Sequence, residues 1–225
     1  NLTLGTVTSG GDLGDTNDTF SNFQNVIGTD HADEISTPGS GNNTIEGLGG
    51  GDLIDSGSGD DDVSGDAGND TLTGNAGVDI VRGGANDDDI HVQQGDDDTG
   101  ETYDGGDGTD RLTVFGTSAA TVFDFTDDTL IDLEALHFGT GTGQGGGEVL
   151  LTTAQADAFQ SFQKDGGTDP ARVVIAMQSA QFDLSGKAVN GFAAQDGFDI
   201  TGTGTADSVA GSMTNDTIRG AGGND

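Results

Sequence analysis

PGSGNNTIE, GLGGGDLID, SGSGDDDVS, GDAGNDTLT, GNAGVDIVR, GGANDDDIH and VQQGDDDTG run without interruption from Pro38 to Gly100, seven units of nine residues each. Position four is Gly41, Gly50, Gly59, Gly68, Gly77, Asn86 and Gly95; position six is Asn43, Asp52, Asp61, Asp70, Asp79, Asp88 and Asp97; position eight is Ile45, Ile54, Val63, Leu72, Val81, Ile90 and Thr99. A glycine-rich turn of six residues leaves its carbonyls free to converge on an ion, and the sixth residue adds a carboxylate. Three residues remain for a short strand. Side chains alternate across a strand, so the position-eight aliphatic points inward and its neighbours face water. One unit has almost no core. Two units make one turn of a coil, unit i stacks on unit i+2, and stacking creates a continuous aliphatic column together with paired loops.

The pattern extends beyond this stretch in both directions. GTDHADEIS, residues 28–36, is a degenerate unit with Asp33 and Ile35 in place and His31 at a glycine position, read as surface-exposed. Glu101 to Asp104 breaks the phase, and GGDGTDRLT, residues 105–113, restores a full unit with Asp110 and Leu112 and closes the first block. At the far end GTGTADSVA, GSMTNDTIR and the partial GAGGND restart the series with Asp207, Asp216 and Asp225 at position six. A chain stopping in mid-unit reads as a piece of a longer protein.

These units resemble the calcium-binding nonapeptides of the RTX family, the hemolysin-type secreted proteins, whose pattern is G-G-x-G-x-D-x-U-x with U a large aliphatic. The resemblance implies an all-β fold, a right-handed parallel β-roll or β-helix with calcium held between the loops of neighbouring turns, and export by type I secretion. In that family each ion takes backbone carbonyls and position-six carboxylates. Carried onto this chain, the metal ligands are Asp33, Asn43, Asp52, Asp61, Asp70, Asp79, Asp88, Asp97, Asp110, Asp207, Asp216 and Asp225. Asn43 keeps an oxygen but lacks the charge, so its site is expected to be weaker. Pairing across the seven-unit ladder and its flanks gives about five to seven Ca2+ ions in the first block.

Composition agrees with a calcium-loaded repeat. There are 40 acidic and 6 basic residues, for a formal charge of −34, and 35 of the acids are Asp. Between residues 28 and 113 alone, 22 acidic residues face 2 basic ones. Such a chain repels itself when metal-free and offers no Lys/Arg cluster for phosphate, which argues against nucleic acid as a partner. With no Cys, disulfides are unavailable and calcium takes their place in an extracellular or cell-surface setting. No apolar run is long enough for a membrane-spanning helix.

Four regions follow: a β lead-in (1–27), the calcium-binding β-roll (28–113), a non-repeat β-rich segment (114–201) and the start of a second repeat block (202–225). Nine of the 11 Phe residues lie between Phe115 and Phe198, so the third region has an aromatic core. Its segments RLTVFGT, ATVFDFTD, LIDLEALHF, RVVIAMQSAQFDL and GFDITGT alternate as strands do. TTAQADAFQSFQK predicts one short helix capped by Thr152 or Thr153, with Ala158, Phe159 and Phe162 on one face. The segment resembles the aromatic-rich β insertions of large bacterial exoproteins.

Catalytic patterns do not emerge. His31, His91 and His137 are scattered and form no H-E-x-x-H, and there is no G-x-S-x-G or phosphate loop. Asp124, Asp127, Asp128, Asp132 and Glu134 read as a solvated strand face. The expected function is a non-catalytic, calcium-folded structural segment of a secreted or cell-surface bacterial protein, such as an adhesin, surface layer or extracellular filament. Its partners are calcium and either copies of itself or a cell surface. The alternative is a C-terminal folding and secretion module of a secreted protease, lipase or alginate epimerase.

Overall fold

The computed structural model describes residues 18–19, 24–140 and 146–221. The expected ligand Asp225, most of the expected lead-in and part of the glycine-rich loop before Gly146 lie outside them. The chain divides into two compact units, Asn1–Leu112 with Asp128–Leu133, and Thr113–Asp127 with Glu134–Asp225.

In the first unit short strands stack in two parallel columns. Asp18–Thr19, Glu34–Ser36, Leu53–Asp55, Thr71–Thr73 and Asp89–Gln93 form one column; Asn25–Ile27, Thr44–Glu46, Asp62–Ala67, Ile80–Ala85, Thr102–Asp107 and Thr129–Ile131 form the other. Each strand pairs with the strand two units away, as in Leu53↔Thr71 and Thr71↔Asp89. The position-eight aliphatics Ile45, Ile54, Val63, Leu72, Val81 and Ile90 are all completely buried. Alternation across a three-residue strand places one side chain inward per unit, and stacking alone makes these a core. The chain is an all-β parallel solenoid.

One departure concerns the phase break. The expected seventh unit, VQQGDDDTG, forms no strand of its own: its Val92 and Gln93 end the strand Asp89–Gln93, and a turn follows. Glu101 to Asp104 does not interrupt the ladder but continues it. Thr102 pairs with Ile80 on one side and with Thr129 on the other, and Tyr103 takes the inward place beside Val81. The four extra residues are absorbed in the turn before Glu101, where a loop can lengthen without moving the strands.

The second unit is also built of parallel strands, with a different core. Val122–Asp124, Gly147–Thr152, Ala171–Ala176, Gly197–Thr201 and Thr217–Arg219 form one sheet; Ala135–Phe138, Ser161–Lys164 and Ala188–Asn190 are neighbours in another; Gln181–Asp183 pairs with Ser208–Ala210. Here Phe rings fill the space. Phe159, Phe162, Phe198, Phe192 and Phe138 form a chain of ring contacts with centroids 5.0–6.0 Å apart.

The helix is shorter than expected, Thr153–Ala158. Thr152 caps it through a reciprocal box with Gln155. Phe159 turns to extended backbone, and Phe162 belongs to the strand Ser161–Lys164, which pairs with Ala135–Phe138. Strand pairing across the sheet outweighs the helical periodicity of the sequence.

Candidate metal centre

The position-six carboxylates form two lines along the first unit, one from each column. Asp52, Asp61, Asp70, Asp79, Asp88 and Asp110 each use one oxygen to hold the neighbouring turn. The backbone N–H of Asp33 donates to Asp52 Oδ1, that of Asp52 to Asp70, that of Asp70 to Asp88 and that of Asp88 to Asp110, at 2.7–2.8 Å. In the other column Asn43 N–H donates to Asp61 Oδ1 and Asp61 N–H to Asp79 Oδ1, at 2.7 and 2.8 Å. Asp52, Asp61, Asp70, Asp79, Asp88 and Asp110 are all buried.

The second oxygen of each carboxylate decides what the loops can do. Oδ2 of Asp52, Asp70, Asp79 and Asp88 is buried and accepts no hydrogen bond. Each lies beside the position-one glycine of its own unit: a Cβ on Gly65 would sit 2.3 Å from Asp70 Oδ2 and 2.8 Å from the Gly83 carbonyl oxygen. The same pair of oxygens faces Gly47 (Asp52 Oδ2 and Gly65 O) and Gly83 (Asp88 Oδ2 and Gly105 O). The missing side chain thus keeps open a space bounded by a carboxylate from one turn and a carbonyl from the next. Ser56 stands at this position in its unit, and its hydroxyl donates to Gly74 O at 2.9 Å.

Leaving an anionic oxygen buried and unbonded is costly. Burial, the main cause, pushes the Asp52 carboxyl up to about 6 and those of Asp79 and Asp88 up to about 7, and it raises Asp61 and Asp70 as well. Hydrogen bonds from the turn before oppose this, and neighbouring carboxylates add to it. A divalent cation removes the same penalty. The donors are hard oxygens, carboxylate and carbonyl, as Ca2+ prefers, with no thiolate or imidazole among them.

Position two separates two kinds of loop. In the loops of Asp52, Asp70, Asp79 and Asp88 it has left-handed backbone: Leu48 at φ 74°, Asp66 at 69°, Asn75 at 63° and Gly84 at 119°. Thr29, Thr203 and Ser212 occupy position two in the units of Asp33, Asp207 and Asp216, and none of them has positive φ. There the loop folds onto its own carboxylate. Thr29 N–H and hydroxyl donate to Asp33 Oδ2 at 2.7 and 3.0 Å; Thr203 N–H donates to Asp207 Oδ2 at 2.7 Å and its hydroxyl to Oδ1 at 2.7 Å; Ser212 N–H donates to Asp216 Oδ2 at 2.6 Å. Three expected ligands are therefore self-capped, a distinction the sequence carried in the Ser or Thr at position two.

Asp97 stands off the ladder, and Glu101 takes the register place opposite Asp79. Asp128, expected on a solvated face, is buried instead: its Oδ1 accepts the N–H groups of Gly100 and Glu101, both at 2.9 Å. The pairing of Thr129 with Thr102 carries it inward. His31 is exposed.

The second unit repeats the arrangement with a different counter-charge. Asp196 accepts the N–H of Ala171 at 2.7 Å, as a ladder Asp accepts that of the turn before it. The buried Lys164 ammonium lies 3.0 and 3.1 Å from its two oxygens and 2.8 Å from the Asp169 carbonyl. An ammonium coordinated by a carboxylate and a carbonyl does here what a cation would do in the ladder.

Among the described residues no helix is long and apolar enough to cross a membrane. No curated protein and no solved structure matches the chain. The family model of the RTX calcium-binding nonapeptide repeat (4 copies) matches residues 37–72, 64–98 and 199–225, stretches that hold Asp52, Asp61, Asp70, Asp79 and Asp88 and the self-capped pair Asp207 and Asp216. Those stretches of this chain are RTX calcium-binding nonapeptide repeats.

Proposed function

We propose that this chain is a non-catalytic module that folds on calcium within a large secreted or cell-surface bacterial protein, where it serves as a structural spacer of an adhesin, surface layer or filament. The observation that carries the proposal is the row of buried, unbonded Oδ2 atoms on Asp52, Asp70, Asp79 and Asp88, each beside a glycine-made space that a carbonyl also borders at Asp52, Asp70 and Asp88. Asp52, Asp61, Asp70, Asp79, Asp88 and Asp110 would hold the ions, with Asn43 a weaker contributor. Asp33, Asp207 and Asp216 would join once their Ser or Thr cap is released. Bound calcium supplies the positive charge that lets these carboxylates stay ionised while buried.

The residues make folding conditional. A formal charge of −34 works against compaction of the metal-free first unit, and a counter-charge favours the stacking that brings its carboxylates together. An ion that binds only the folded state, at ten times its Kd, adds about 1.4 kcal/mol. Extracellular modules bind calcium at about 0.1 to 1 mM, above cytosolic levels, so one sequence can stay extended for type I export and fold outside.

Size exclusion with light scattering, in millimolar calcium and then in EGTA, tests this reading. Calcium-driven compaction followed by growth into oligomers supports a structural surface protein. Compaction to a monomer alone supports the folding module of a secreted enzyme, and an unchanged hydrodynamic radius overturns the calcium-folding reading.

A further inference from the structure

We propose that Asp97, Glu101 and Asp128 form a separate cation site for Ca2+, outside the nonapeptide pattern and closing one column of the first unit. One carboxylate oxygen from each of the three lies within 4.8 Å of the others. The three residues come from different segments: Asp97 from the turn that absorbs the four extra residues, Glu101 from the register place beside Asp79, and Asp128 from a later excursion of the chain. Three carboxylates this close repel one another strongly where water is excluded. Arg82 and Arg111, the two basic residues between 28 and 113, pair with Asp62 and Asp89 instead.

A second observation points to a ligand. Glu101 is 1% exposed, and its Oε1 is buried and accepts no hydrogen bond. Its other oxygen is engaged: Oε2 accepts the Tyr103 hydroxyl at 2.5 Å and the Asp98 N–H at 3.2 Å. These bonds fix the carboxylate and leave Oε1 for the cluster. Asp128 is fixed in turn by the Gly100 and Glu101 N–H groups. The site is therefore held from both sides by backbone, and all its donors are hard oxygens that suit Ca2+. It stands on this geometry and not on the ladder.

Tyr103 supplies a selective readout, since it is the single Tyr in a chain without Trp and its hydroxyl touches Glu101. In the full chain, Tb3+ replaces Ca2+, and emission excited through Tyr103 is followed alongside far-UV circular dichroism. The wild type is expected to give sensitised emission that Ca2+ competes away. Asp97→Asn, on the turn, and Glu101→Gln should each lower that emission at least tenfold. Asp157→Asn, at an exposed carboxylate of the second unit, should leave it intact. Wild-type emission retained in both Asp97→Asn and Glu101→Gln overturns the proposal, and because Asp97 lies off the ladder its variant tests the site even if Glu101→Gln does not fold. A chain whose circular dichroism ignores calcium, yet whose emission still depends on Asp97 and Glu101, would sink the ladder reading and leave this site standing.

Discussion

The backbone N–H of Asp52 donates to Oδ1 of Asp70 at 2.7 Å, and this bond leaves Oδ2 of Asp70 buried beside Gly65. One carboxylate thus performs two tasks: it staples one turn to the next and presents an oxygen to an ion. Asp70→Asn keeps an acceptor for the staple and removes the charge. The expected result is a calcium midpoint about tenfold higher or more, since hydrogen bonds to charged groups are worth roughly 1.5–3 kcal/mol. The metal-free fold should become more stable, because a buried anion is gone. Calcium titration by circular dichroism and melting in EGTA read the two effects separately.

Acid should partly substitute for calcium. The folded-state carboxyls of Asp52, Asp79 and Asp88 lie at about 6, 7 and 7, above their ordinary 3.8, chiefly because of burial. Raised acids favour the folded form when protonated, so their contribution is complete below about pH 4 and is lost as pH rises through 6 to 7. In EGTA, the β signal should be stronger at pH 4.5 than at pH 8. In calcium the trend should reverse, and binding near pH 6.5 should release protons, seen as a calorimetric enthalpy that varies with buffer.

Close stacking of the loops depends on position four. A Cβ on Gly68 would lie 1.2 Å from the Gly50 carbonyl oxygen, and Gly68 has φ +138°. Gly68→Ala must therefore shift backbone as well as adopt a strained conformation that alone costs about 1–3 kcal/mol. Calcium-induced folding of the first unit should be severely weakened or lost. Gly166→Ala, where an added Cβ meets nothing within 4 Å, should melt like the wild type.

The second unit should respond differently to chelation. Lys164 and Asp196 are both buried, and the lysine supplies the counter-charge permanently. Lys164→Met would strand the carboxylate at a cost of about 3–5 kcal/mol. Hydrogen exchange in EGTA should show protection around Val173 and Phe198 surviving in the wild type and falling in Lys164→Met.

By itself the sequence determined the solenoid. Its nine-residue period sets one inward aliphatic, one carboxylate and one glycine turn per unit, and only stacking of unit i on i+2 buries Ile54, Leu72 and Ile90 together. Local chemistry also encoded which loops cap themselves, in the Ser or Thr at position two. Tertiary structure alone decided where the ladder ends. Counting by nines assigns Asp97, but strand pairing is set by the hydrogen-bonded neighbours on each side, so the four extra residues are pushed into the turn and Glu101 enters the line. Asp128, 27 residues beyond Glu101, reaches it because a later strand pairs with Thr102–Asp107. Lys164 meets Asp196 across 32 residues in the same way. Such encounters depend on which strands become neighbours, and no local period records them.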